Sequence, residues 1–235
     1  VDELETLITP KTSFIILNSP GNPAGGLITS DQLGRIAEIV TERNLTVLSD
    51  EIYSRIIYDG EHVSLLSYPG MQEHVILLDG FSKTYAMTGW RAGYGVMSPD
   101  LAFWVTRLMT NSNSCTNTFV QMACVEALRG SQSESAAMIA EFRRRREVIM
   151  EGLNSIEDIT CRQPKGAFYV FPNVLALPRS SKELEQYFLD EYGVATLSGT
   201  AFGAYGEGHL RLSYANSVAN IREALERMAE AVRRL

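Results

Sequence analysis

Three short stretches carry side chains on which chemistry could be built. Asn18-Ser-Pro-Gly-Asn22-Pro offers two carboxamides, and Asp50-Glu51-Ile52-Tyr53 offers two carboxylates and a phenol. Asp79-Gly-Phe-Ser82-Lys83-Thr84 offers a carboxylate, two hydroxyls and an amine. Each follows a short apolar run of the kind that forms a buried strand: residues 14–17, 45–48 and 75–78. In open α/β sheets, ligands bind outside the carboxyl ends of the strands. Taken singly, Asn22 reads as a turn residue, Asp50 as a helix cap and Lys83 as a surface lysine. Their recurrence at equivalent strand ends points instead to one ligand-binding edge.

The elements that must position this edge can be read from periodicity. After the Pro/Gly/Asn cluster at 18–26, Thr29 and Gln32 have capping-box spacing, and Leu33, Ile36, Ala37 and Val40 recur at helical intervals. Residues 92–97 make a fourth strand candidate. Strands separated by helices and loops predict an α/β architecture with a mostly parallel sheet and flanking helices. From Asp100 onward the pattern changes. Helices are predicted near 99–112, 117–130 and 132–154. Strands are predicted at 159–162 and 168–171, a helix near 182–192, strands at 194–197 and 209–214, and a closing helix from Val218. Its buried face carries Ile221, Leu225, Met228 and Val232. The chain thus divides into residues 1–140, with the sheet, and a small α+β domain at 141–235.

Composition removes several classes of function. The 235 residues are 45% hydrophobic and 21% charged, with net charge −7, which is the profile of a globular chain and not of a disordered one. An acidic chain carries no electrostatic footprint for nucleic acid. The basic run Arg143–Arg146 reads as a solvated helix face. No apolar run approaches the ~18 residues of a membrane span. Cys115, Cys124 and Cys161 have no paired spacing, which fits a reducing, cytoplasmic compartment. His62, His74 and His209 lack metal-ligand spacing, so no metal site is expected. Trp90 and Phe168 read as core aromatics, Gly93-Tyr-Gly95 as a packing feature, and Asn111–Asn117 as an interhelical loop.

Ser82-Lys83-Thr84-Tyr85-Ala86-Met87-Thr88-Gly89-Trp90-Arg91-Ala92-Gly93-Tyr94 resembles the cofactor-lysine segment of class I/II aminotransferases, fold-type I enzymes dependent on pyridoxal 5'-phosphate. Asn18-Ser-Pro-Gly-Asn22-Pro-Ala-Gly-Gly26 resembles the family's Asn-Pro-x-Asn-Pro-Thr-Gly loop, with Ser19 and Ala24 as departures. Asp50-Glu51-Ile52-Tyr53 matches its Asp-Glu-x-Tyr element, and the segment from Gly203 to Tyr214 its late arginine motif. Four motifs in order span nearly the whole chain.

The resemblance implies a role for each residue. Lys83 would form the Schiff base with the cofactor and shuttle the Cα proton. Asp50 would keep the ring nitrogen protonated. Tyr53 and Asn22 would donate to the phenolate oxygen, Ser82 and Arg91 would hold the phosphate, and Arg211, with Asn22, would bind the substrate carboxylate. Gly166-Ala-Phe168-Tyr resembles a segment near the substrate. The implied reaction moves an amino group from an amino acid, aspartate or aromatic favoured, to a 2-oxo acid, in a homodimer. Related readings are a fold-type I lyase or ring-forming synthase, and the aminotransferase-like effector domain of a transcriptional regulator. Without an initiator Met, the chain is expected to be the C-terminal portion of a longer protein. Residues 1–140 would be the C-terminal half of the cofactor-binding large domain, and the isolated chain would be prone to association and would lack activity or depend on a partner supplying the rest.

Overall fold

The computed structural model describes residues 1–235, which fall into two compact units. The first comprises Val1–Pro20 and Leu27–Ser135, the second Gly21–Gly26 and Ala136–Leu235.

In the first unit, α1 (Asp2–Leu7) precedes β1 (Phe14–Asn18), α2 (Ser30–Arg43), β2 (Thr46–Asp50), β3 (Val75–Gly80) and β4 (Gly93–Val96). The sheet order is β1-β2-β3-β4. The first three strands are parallel, and β4 returns antiparallel to β3. This is the mixed, mostly parallel sheet with flanking helices that the sequence predicts. The Thr29 capping box forms as its spacing requires, with the Thr29 hydroxyl accepting from Gln32 N–H and the Gln32 side chain accepting from Thr29 N–H. Asn44 closes α2 in the left-handed conformation.

One face of α2 (Leu33, Ile36, Ala37, Val40) packs on Ile15, Val47, Val75 and Leu77, with Leu45, Leu65 and Met71 completing the core. Each such side chain contributes roughly 1.5–3 kcal/mol on burial. Strand alternation sends the next residues the other way. Register pairs Ile16 with Leu48 and Asn18 with Asp50, so these share the face opposite the core, where Ile16 is 69% exposed. Helices α3 (Pro99–Ser112) and α4 (Thr118–Arg129) follow and carry exposed Phe103, Trp104, Phe119 and Met122.

Helix α5 (Ser133–Asn154) contributes to the second unit from Ala136 onward. There β5 (Tyr169–Val170), α6 (Ser181–Tyr192), β6 (Leu197–Ser198), β7 (Leu210–Ser213) and α7 (Val218–Val232) follow. The three strands form an antiparallel sheet of order β5-β7-β6. Ser180 caps α6 in a second capping box, and Gly193 ends it left-handed. Ile221, Leu225 and Met228 of α7 are buried, with Phe142, Ile149 and Leu153 of α5 and Leu184 and Phe188 of α6.

Several local expectations are corrected. Residues 159–162 form no strand, only the Thr160–Asn173 bridge, because the chain must then turn through Pro164 to Gly166. The strand expected at 194–197 is displaced to 197–198. Trp90 is not a core residue: it is exposed and meets the ring of Phe119 edge-on, 6.3 Å between centroids. Within Arg143–Arg146, Arg144 and Arg145 pair with Glu141, but Arg146 is buried and its Nη1 donates to Pro164 O. Helix α1 was not anticipated. No helix is long and apolar enough to cross a membrane.

Candidate active site

Five of the seven residues singled out from the sequence lie in the first unit. Asp50 ends β2, in register with Asn18 on one side and Leu78 on the other. Its backbone O accepts from Asn18 Nδ2 at 3.1 Å, and its Oδ1 accepts from Ile52 N–H at 3.2 Å, which folds the chain back into the turn bearing Tyr53. Tyr53 is buried, and Lys83 Nζ lies 5.8 Å from its ring centroid. An amine over a phenol ring pairs a nucleophile with a hydrogen-bond donor, and the Asp50 carboxylate leads the turn that carries that ring.

The loop carrying Ser82 and Lys83 leaves β3 at Gly80. A Cβ there would come within 2.9 Å of Gly93 Cα, so the two backbones approach where only glycine fits. This is the packing role expected of the Gly93 segment. Lys83 and Ser82 are half-buried, and Thr84 behind them is buried with its O accepting from Ser135 Oγ at 2.9 Å. Two non-glycine residues of the segment, Ala86 (φ 53°) and Arg91 (φ 56°), are left-handed. Such residues cost of order 1–3 kcal/mol and cluster at functional sites. Arg91 is exposed and its Nη1 donates to Thr88 O at 2.8 Å. It lines a groove of about 620 Å³ with Trp90, Asn113, Thr116 and Phe119.

Asp79, one strand away, accepts from Gly80 N–H (2.7 Å), Tyr94 O–H (3.1 Å) and Ser54 O–H (3.5 Å). Burial raises its carboxyl above the usual 3.8, and burial followed by the Asp79 charge raises the Tyr94 phenol above 10.0.

The second unit holds Asn22 and Arg211. Arg211 Nη1 donates to Asn22 Oδ1 at 3.2 Å. The guanidinium lies 4.8 Å from the Tyr169 ring centroid and 5.4 Å from that of Phe202, and its Nε is buried without a partner. A planar cation braced between aromatics, with donor capacity to spare, is suited to a carboxylate. Phe168 stacks on Phe142 at 5.2 Å, as a packing aromatic should.

Sequence reasoning missed two partners of the site. Phe202 reaches Arg211 from the turn before β7, with no periodic signal to connect them, whereas Tyr169 belongs to the segment already read as near the substrate. Glu51 was adjacent to a chosen residue but was given no role; strand alternation alone would have sent it to the face opposite Asp50.

The family model for aminotransferase class I and II matches residues 1–228, and the chain belongs to that family. It is 41% identical over 240 residues to aromatic-amino-acid aminotransferase 2 of Thermococcus litoralis, and 41% identical over the same length to the aspartate aminotransferase of Pyrococcus abyssi. Both matches cover 99% of this chain and 60% of the relative, so the chain spans about 60% of the curated relatives it matches. The crystal structure of the aromatic aminotransferase from Pyrococcus horikoshii superposes with a TM-score of 0.96 at 39% identity, covering 99% of this chain and 63% of that one. The family depends on pyridoxal phosphate. The first unit's donor set fits that group: a carboxylate for the ring nitrogen, a phenol for the ring oxygen, an amine for the aldehyde, and a hydroxyl and guanidinium for the phosphate.

Proposed function

We propose that the protein takes part in pyridoxal-phosphate-dependent transfer of an amino group from an amino acid, aspartate or an aromatic one, to a 2-oxo acid. The observation that carries this reading is the Lys83 amine over the buried Tyr53 ring, at the sheet edge where Asp50 ends β2. The donor classes follow from the similarity to an aromatic-amino-acid aminotransferase of Thermococcus and an aspartate aminotransferase of Pyrococcus.

Bound pyridoxal phosphate would supply an electron sink for the substrate Cα. The remaining work belongs to the chain. Asp50 would accept the ring N–H and so keep that proton in place. Tyr53 would donate its hydroxyl hydrogen to the ring oxygen. Lys83 Nζ would take the proton from the substrate Cα and return it across the substrate nitrogen, to the carbon that brought the aldehyde. Ser82 would donate to the phosphate, and Arg91 would add a charge-assisted contact. Arg211, braced by Asn22, Tyr169 and Phe202, takes the substrate carboxylate. Residues 1–140 then serve as the cofactor-binding part and 141–235 as the small domain. The exposed apolar residues of α3 and α4 support a homodimer, and three unpaired thiols support a cytoplasmic setting.

The test combines absorbance and product analysis. With pyridoxal phosphate the protein should develop a visible band that Lys83→Ala abolishes. With a 2-oxo acid acceptor it should yield the corresponding amino acid. Release of ammonia with no amino acid formed would favour a lyase instead.

A further inference from the structure

On the core side of the sheet, behind the Asp50–Tyr53 turn, the first unit buries a carboxylate that the reaction above does not use. Glu51 accepts from Ser49 Oγ (3.0 Å) and Ser64 Oγ (2.7 Å) at Oε1, and from His62 Nε2 (2.8 Å) at Oε2. The donors come from both ends of residues 49–64, so the carboxylate closes that segment at its neck. The other nitrogen of His62, Nδ1, is buried without a partner, which leaves the Glu51 bond to orient the ring.

Stability does not require a charge here. Buried ion pairs are often matched or bettered by apolar residues of similar volume. A fully bonded buried carboxylate fixes geometry instead. Glu51 N–H donates to Leu78 O at 2.9 Å, so its backbone is pinned as well. Ser49 and Glu51 point to one face and Asp50, between them, to the other, so anchoring the outer two fixes the direction of the middle one. Tyr53 follows two residues beyond the anchor.

We infer that Glu51, clasped by His62 and Ser64, is a positioning residue that aims Asp50 at the cofactor ring. The inference rests on the cofactor reading given above. A double-mutant cycle on pyridoxal phosphate affinity, read by quenching of tryptophan fluorescence and not by turnover, tests it. Glu51→Gln keeps the volume but removes the acceptor for one donor. It should weaken binding about ten-fold, as loss of a supporting partner commonly does. Asp50→Asn should weaken binding on its own. If Glu51 acts through Asp50, the double variant binds within about two-fold of Asp50→Asn. Losses that multiply would overturn the inference, as would wild-type affinity in Glu51→Gln. Should Glu51→Gln fail to fold, Ser64→Ala removes one donor and leaves the carboxylate; it should show the same non-additivity with Asp50→Asn. Absence of binding by the unmodified protein would overturn the cofactor reading itself, so the two failures appear in different arms.

Discussion

Among single residues, Arg211 bears most directly on substrate binding. Its planar cation is held between two rings and by one carboxamide. Lysine keeps the charge but loses both the planar fork and the aromatic contacts. Arg211→Lys should therefore raise KM for the amino acid by on the order of ten-fold or more, a loss of about 1.4 kcal/mol or more in binding. Steady-state kinetics over both substrates check this, and an unchanged KM would remove Arg211 from carboxylate recognition. Asp79 makes a pH prediction. Its folded-state carboxyl titrates above the usual 3.8, so the folded state binds this proton more tightly than the unfolded chain does. The corresponding stability is fully present below 3.8 and is lost as pH rises through the raised folded value. Asp79→Asn removes this step. Its thermal midpoint should gain on the wild type across that interval, and parallel midpoint curves would contradict the assignment.

At the scale of elements, local signals were legible and distant ones were not. The Thr29 box depends on two side chains three residues apart, and it formed as read. Thr29→Ala should cost about 1 kcal/mol, measurable by urea unfolding. An unchanged midpoint would mean that other acceptors satisfy the first turn of α2. The strands of the first sheet and the long helices are equally visible, because apolar periodicity is written within each segment. Arg146 was misread because three neighbouring arginines made its face look solvated; its burial depends on Pro164, eighteen residues along the chain. Trp90 was misread because size and hydrophobicity do not say which face a loop residue turns outward. The candidate site divides the same way. Its motif residues are proposed from identity and order, whereas the Glu51 clasp and the Phe202 ring beside Arg211 depend on how separate segments meet.

At the scale of the whole molecule, apolar side chains remain in contact with solvent. Phe103 and Trp104 on α3 and Phe119 and Met122 on α4 are more than half exposed, and such surfaces mark interaction sites. The 235-residue chain should self-associate, seen as a concentration-dependent mass by light scattering. Replacing Trp104 with Glu should shift it toward monomer, and a wild-type chain that is monomeric at all concentrations would refute the prediction. A different consequence comes from the discontinuity of the second unit, which recruits Gly21–Gly26 to a body built from Ala136 onward. Gly25 is left-handed and its O accepts from the N–H groups of Lys165 and Gly166. During synthesis at roughly 5–20 residues per second, those partners leave the ribosome on the order of ten seconds after Gly25 does. For that interval the nascent hexapeptide has no native docking place, and its early emergence gives misassembly a window that a contiguous second unit would not open.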